Sequence, residues 1–358
     1  MRTRDVYLAK QESLSDAQTL IKDLNLTQPI MSITVLYEAT NGATSNTVGK
    51  LNGDVDKLEV VDGSDVLHSV SGIEEQALNF FHHKQMPYQE LNQDGGDTIL
   101  EEFIINFGRY PDDPEYYLDP KKYSNLQLKC THSLTASATA GIATGKGKIT
   151  IIARVIDVGA PPYKGFIMSK NVKSWTTAAS GDVDIILARD YPYKALMVKD
   201  LLTTVKPDVS ITNLKLSIDT DRIIPFDLRT IDILNDNLKD YGYGIQDAEL
   251  LPDTTWSILG DLYRLVGVTV SEPGATAKAV PTIITAEKIV GTMTTGESGE
   301  VRIKTIGAAP HSCMFYPFGK AADVGDYLVS KGLGELKLIA TQGGASAAAS
   351  VVTQQLRV

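Results

Sequence analysis

The chain has 358 residues, 43% of them hydrophobic and 22% charged, a balance that can bury a large core and excludes a disordered or fibrous polymer. Its formal net charge of −10 argues against direct wrapping of nucleic acid, because phosphate contacts need clustered Lys and Arg. Two cysteines, Cys130 and Cys313, are too few for a disulfide framework and form no C-x-x-C pair, so two buried thiols are expected.

No apolar run approaches the ~20 residues of a membrane-spanning helix, and Met1-Arg-Thr-Arg4 leads into no hydrophobic signal core. A soluble chain without a cleaved signal is expected. In the segment from Ser13 to Leu24, the residues Leu14, Ala17, Leu20, Ile21 and Leu24 recur at helical spacing, with Ser15 and Gln18 placed as a capping box. A short amphipathic N-terminal helix is predicted there, flanked by Arg2, Arg4 and Lys10. Ile30–Tyr37 is dense in β-branched and aromatic residues and closes at Asn41-Gly42, so it reads as a strand and turn. Leu58–Val61, Glu102–Phe107, Leu126–Cys130 and Lys148–Ile156 read as further short strands. One helix interrupts them, beginning at Ser71, where Glu74 completes a capping box and Ile73, Ala77, Phe80 and Phe81 share a face. Farther on, Leu214–Ile218 reads as a strand and Asp227 as the start of a second helix, stopped at Gly242.

These two strand–helix stretches belong to a repeat. FGRYPDDPEYYLDPKKYSNLQLKCT, from Phe107, and FGKAADVGDYLVSKGLGELKLIAT, from Phe318, agree in order: Tyr117-Leu118 with Tyr327-Leu328, Leu126 and Leu128 with Leu336 and Leu338, Thr131 with Thr341, all at an offset of 210. A one-residue gap then sets Phe107, Gly108, Arg109 and Asp112 over Phe318, Gly319, Lys320 and Asp323. Leu58 falls on Leu214 at an offset of only 156, so the second half carries about fifty extra residues, within Tyr243–Ala309. The stretches Val268–Thr276 and Gly291–Gly299 there are small and polar, which predicts exposed loops. Consecutive prolines in Gly159–Gly165 mark the join.

Many short strands, one notable helix per half and no regular strand–helix alternation predict a mainly β fold of two tandem eight-stranded jelly rolls. The expected division is an N-terminal arm over 1–27, a first jelly roll over 28–160, a linker over 161–170, and a second jelly roll over 171–358 with inserted exposed loops at about 243–309.

Together, the N-terminal arm, the two tandem β units, the FGR and FGK segments and the larger second insertion resemble the double jelly-roll major capsid proteins of tailless icosahedral viruses, among them the small membrane-containing bacteriophages. The resemblance implies a structural role in a virion shell and a homotrimer whose six lobes tile as a pseudo-hexagon. It further implies loops of 243–309 projecting outward, the N-terminal arm toward an internal viral membrane, and neighbouring capsomers, penton and minor capsid proteins as partners. The host cytoplasm would be the place of assembly.

Enzymatic signatures are sparse. The five histidines, His68, His82, His83, His132 and His311, include no H-x-H pair, which weighs against a metal-dependent bicupin. There is no H-E-x-x-H or G-x-S-x-G, and the stretch Gly42–Leu51 has the wrong glycine spacing for a phosphate loop. The acidic run Pro111–Glu115 lacks a full calcium spacing and reads as a solvated loop. Arg109 and Lys320 are expected to form exposed pairs with Asp112 and Asp323, worth ~0–1 kcal/mol. Trp175, Trp256 and the fifteen tyrosines read as core, the alternative being the platforms of a secreted or surface carbohydrate-binding protein. No catalytic, cofactor-binding or metal-binding residue is expected.

Overall fold

The computed structural model describes all residues except 45, 47, 204, 251–254, 272–279, 284–287 and 293–300, with the backbone alone at 250, 255–259, 280–283, 288–292 and 301. The first nine strands are β1 (Arg2–Ser13), β2 (Ala17–Asp23), β3 (Ile30–Thr40), β4 (Lys57–Asp62), β5 (Asp65–Val70), β6 (Gln89–Asn92), β7 (Thr98–Asn106), β8 (Leu126–Ser133) and β9 (Lys148–Val158), with helices α1 (Leu51–Asp54) and α2 (Gly72–His83). Then follow β10 (Phe166–Thr176), β11 (Gly181–Ile186), β12 (Tyr193–Leu201), α3 (Pro207–Ser210), β13 (Ile211–Ile218), β14 (Ile223–Arg229) and α4 (Thr230–Tyr241). The chain continues through β15 (Gly244–Leu250), β16 (Thr255–Leu259), β17 (Leu262–Ser271), β18 (Val280–Ile283), β19 (Lys288–Thr292), β20 (Val301–Pro310), β21 (Cys313–Pro317), β22 (Leu336–Gln342) and β23 (Ala348–Arg357).

Hydrogen bonding sorts these strands into two similar lobes. In lobe 1 the order β1-β9-β3-β7 faces β2-β8-β4-β5; in lobe 2, β10-β23-β12-β21 faces β11-β22-β13-β14. Each is an eight-stranded jelly roll. Alternation sets the cores: along β3, Ile33, Val35, Tyr37 and Ala39 point inward, while Ser32, Thr34 and Leu36 point outward.

The register carries the repeat farther than the residue identities do. Ile30 in β3 bridges Leu118, and Tyr193 in β12 bridges Leu328, so the repeated Leu sits beside the same strand in each lobe. A bulge follows at once in both, between Ile30 and Ser32 and between Tyr193 and Ala195. A second pair of bulges lies at Tyr7/Ala9 and Asn171/Lys173, in the first strand of each lobe. Leu58 pairs with Cys130 as Leu214 pairs with Ala340. By these pairings α2 and α4 hold the same place, each twelve residues long after the fifth strand of its lobe.

Both helices cap a sheet edge in the same way. Asn79 donates to the Ile104 carbonyl at 2.6 Å and accepts from the Ile104 N–H at 2.8 Å, on β7. Asn237 does the same to Phe315 on β21, at 2.5 and 2.8 Å. Backbone groups that no neighbouring strand reaches, on the edge strand β21 and on β7 beyond its short pairing with β6, are thereby satisfied by one amide side chain. Ser71 and Glu74 form the expected capping box on α2. The second helix starts at Thr230 and not at Asp227, which lies in β14 and accepts from Asn213 at 2.7 Å; Thr230 begins the helix with its hydroxyl on the Ile211 carbonyl.

Three expectations need correction. Residues 1–27 form no arm and no helix: they are the first two strands of lobe 1, with β1 on β9 and β2 on β8, and they bury Leu14 and Leu24 in its core. The linker expected over 161–170 ends earlier, because β10 starts at Phe166. Gly165 makes the passage, at φ 117 and with space for no Cβ, which would stand 2.4 Å from the Arg357 carbonyl oxygen. Finally, much of 243–309 is strand. β15, β20 and β17 extend lobe 1's first sheet through β6, while β16, β19 and β18 form a separate three-stranded sheet. The stretches 272–276 and 293–299, expected as exposed loops, lie outside the described residues.

The insertion leaves the sheet at the end where Thr40 pairs with Thr98. Met1, the join at Gly159–Gly165 and Val358 gather at the opposite end, where Arg2 pairs with Val158. Replacing Asn237 with Ala is expected to leave the Phe315 backbone N–H and C=O unpaired and to lower unfolding free energy by about 2–4 kcal/mol. Urea denaturation of the variant checks this, and Asn79→Ala should behave alike.

Candidate functional site: the seam between the lobes and its open counterpart

The two lobes share their sheets. β5 of lobe 1 runs parallel to β10 of lobe 2 through Ser69 and Lys170, so eight strands cross the boundary without a break. The outer face of β10-β23-β12-β21 is apolar as well as the inner one. On β12, Leu196 and Val198 enter the lobe 2 core while Ala195 and Met197 point outward. α2 covers that outer face with Ala77, Leu78, Phe80 and Phe81; the Phe81 ring stacks on Phe315 at 4.8 Å, and Tyr241 closes edge-on at 5.1 Å.

Polar groups fix the seam's register. Glu74, buried on α2, accepts from Ser350 at 2.5 Å and Asn171 at 2.8 Å, with Lys199 at 3.5 Å. Burial alone would raise its carboxyl, but Lys199 and these hydrogen bonds outweigh that and hold it below the usual carboxylate range. At the other end of α2, Lys194 lies 3.1 Å from His82 and 3.2 Å from the Gln354 side-chain carboxamide oxygen. Burial pushes Lys194 down to about 7 and His82 well below its ordinary value, so His82 is neutral and can accept.

A second buried group ties the insertion to lobe 1. Asp261 accepts from Lys50 at 2.7 Å and from Gln246 at 2.6 Å, and His311 stands 3.6 Å away. Nearby Glu101 on β7 accepts from Gln76 at 2.9 Å. Burial first, and the Asp261 charge second, push Glu101 up to about 8. Burial would raise the Asp261 carboxyl, but Lys50, His311 and the Gln246 hydrogen bond together outweigh it and hold it below the usual carboxylate range.

The FGR and FGK corners also bridge. Arg109 is buried and grips Asp113, not Asp112, through both its Nε (2.7 Å) and a terminal nitrogen (3.0 Å), reaches Glu115 at 2.8 Å, and donates to the Ala322 carbonyl of lobe 2 at 2.7 Å. Asp112 pairs with Arg154 instead, at 3.0 Å. In lobe 2 the backbone N–H of Lys320 goes to Asp326, not Asp323. Both glycines are required, because a Cβ at Gly108 would come 2.6 Å from that of Asp113, and one at Gly319 would come 2.2 Å from that of Asp326.

The residues that carried other readings are dispersed. His68 bonds Glu75, His132 bonds Tyr37, His82 lies at the seam, His83 beside Asn106 of lobe 1 and His311 beside Asp261; among the described residues no group of three His, Cys, Asp or Glu could hold a metal ion. Cys130 and Cys313 are free and buried, and burial pushes the Cys130 thiol up to about 12. Trp175 packs against the lobe 2 core; the Trp256 side chain lies outside the described residues. In Gly42–Leu51 the Asn46 carboxamide oxygen accepts from the Gly49 N–H at 2.8 Å, a self-held polar loop.

Lobe 1 has a corresponding outer face, with no such helix upon it among the described residues. Thr34, Leu36, Ile104 and Ile152 line a shallow concavity of about 330 Å³, bordered by Glu102 and the Arg154–Asp112 pair. An open groove of about 680 Å³ lies over β6, β15, β17 and β20, its charges matched as Arg302–Glu249 and Lys304–Asp247.

No protein-family model matches the chain, and no curated protein matches it in sequence. Solved structures do. The MCP of Sulfolobus turreted icosahedral virus superposes with a TM-score of 0.64 at 10% identity, over 99% of this chain and 96% of that one. The PBCV-1 virus capsid gives 0.61 at 9% identity, over 99% and 93%. The major capsid protein P2 of bacteriophage PM2 gives 0.54 at 10% identity, over 100% and 98%. At such identities the likeness is one of fold: the chain is a double jelly roll from end to end.

Glu101 gives the contact between the insertion and lobe 1 a pH signature. Its carboxyl ionises at an ordinary 4.5 in the unfolded chain and at about 8 in the folded one, so folding stability falls as pH rises through that window. Glu101→Gln is expected to melt higher than the wild type above pH 8 and to match it below pH 4.5, as thermal denaturation across pH will test.

Proposed function

We propose that the chain is the major capsid protein of a tailless icosahedral virus, a structural protein that forms trimeric, pseudo-hexagonal capsomers and resides in the virion shell after assembly in the host cytoplasm. The observation that carries this is the repeat of one jelly roll in matching register, bulge for bulge, within one chain. Two like lobes side by side let three copies present six, so that threefold assemblies can pack as hexagons. Solved structures of the same fold, described as viral capsid proteins, support the same role.

The polarity of the lobes suggests an orientation. The insertion leaves at one end and the chain termini and join gather at the other, so we assign the insertion to the outside of the shell and the termini to the inside. We further propose a division into lobe 1, a short join at 159–165, and lobe 2 carrying the insertion. Penton and minor capsid proteins would meet the capsomer at its rim. Contact with an internal membrane would fall to the terminal end of the strands, since residues 1–27 offer no amphipathic helix.

Native mass spectrometry of the purified chain is expected to find a trimer, and negative-stain micrographs hexagonal outlines. A stable monomer at micromolar concentration, binding glycans, would favour the carbohydrate-binding alternative instead.

A further inference from the structure

The seam inside one chain defines a contact between two chains. Across lobe 2 the pairings Asn171–Val352, Val352–Met197 and Met197–Phe315 set a row on the outer face, which α2 covers. The same register positions in lobe 1 are Tyr7, Ile152, Thr34 and Ile104. Tyr7 is 59% exposed, and the other three line the open concavity.

The element that would match this face is α4. It stands on the edge of lobe 2 as α2 stands on the edge of lobe 1, each through its Asn clamp. Where α2 presents Leu78, Phe81 and His82 to lobe 2, α4 presents Asp236, Lys239 and Asp240, all exposed. In lobe 2 the Phe81 ring lies on Phe315, with Cys313 in the same cluster, and His82 lies 3.4 Å from Gln354. Their counterparts in lobe 1 are Ile104, Glu102 and Arg154. The substituted charges are therefore opposite in sign: Lys239 would come to Glu102, and Asp240 to Arg154.

We propose that α4 of one copy seats on the outer face of β1-β9-β3-β7 of a second copy, in the manner of α2 on lobe 2, with Lys239 on Glu102 and Asp240 on Arg154. The proposal rests on the capsomer reading and specifies its contact. The interface is heterologous, each copy giving one helix and receiving another, and three copies so joined would close a ring of six lobes. The change in chemistry follows from timing. α2 is covered once and for good as the chain folds, so it is apolar; α4 must remain soluble until a second copy arrives, so it is charged, and charge selects its partner.

Trimer formation by the full-length chain, read by native mass spectrometry across a dilution series, tests the contact. Lys239→Glu is expected to weaken association about tenfold or more, and Glu102→Lys in the same chain to restore it; Asp240→Arg and Arg154→Asp form an independent pair. Because Glu102 also accepts from the Tyr88 N–H, a variant there can disturb lobe 1, so a second measurement is paired with it. Ile104→Cys with Lys239→Cys, oxidised in the assembled state, should give dimer and trimer bands on denaturing gels, the native cysteines being buried. Trimers that are unaffected by both charge pairs and remain uncrosslinked would overturn this contact while leaving the capsomer role intact. A wild-type chain that never forms a trimer would overturn both.

Discussion

A sheet that is apolar on both faces must be covered twice, and β12 and β23 impose that constraint on the molecule. Their inner residues are buried by lobe 2 itself. Their outer residues, Ala195, Met197 and Val352, have no cover within lobe 2, and the only economical solution is an element from the neighbouring lobe. α2 supplies it with Ala77 and the larger Leu78, Phe80 and Phe81, each of these last three burials contributing on the order of 1.5–3 kcal/mol. The shared sheet through Ser69 and Lys170 then follows as geometry, since a helix so placed brings β5 alongside β10. The relative placement of the lobes is thus a matter of packing, and the buried Glu74 and Lys194 groups select one register of that packing from its near alternatives.

Much of this was legible in the residues. The duplication could be read because Phe-Gly-cation and Tyr-Leu occupy turns and corners where backbone geometry tolerates few substitutes: Gly108 and Gly319 each face a carboxylate that leaves no space for a Cβ. The paired strands from Ile30 to Tyr37 and from Lys148 to Ile156 declared themselves by alternation. The capping box at Ser71 and Glu74 formed as written.

The misreadings have physical causes. In the first 27 residues, Leu14, Leu20 and Leu24 fit a period of two as well as a helical one, and the structure buries Leu14 and Leu24 and half-buries Leu20 while leaving Ala17 and Ile21 outside. Ser15 and Gln18 do meet, at 2.9 Å, but across the turn after β1, with Gln18 already on β2. Local preference gave way to pairing with strands more than a hundred residues away. The choice of Asp113 over Asp112 turned on loop geometry that spacing does not encode, and a pair taken as solvated proved buried. The Asn79 and Asn237 clamps went unread because a mid-helix Asn carries no signal of its own until its partner strand is known. The insertion looked like loops because strands extending an existing sheet need little apolar content on the side facing water.

Each lobe is closed by pairing its first strand with its last, β1 with β9 and β10 with β23. On the ribosome, lobe 1 is therefore complete while most of lobe 2 has yet to be synthesised. Throughout that interval Phe81 and its neighbours on α2 stand bare, and translation at ~5–20 residues per second keeps them so for ten seconds or more. The nascent chain consequently carries one sticky helix for a predictable span of its synthesis, and a chaperone that shields it need act only until β23 emerges.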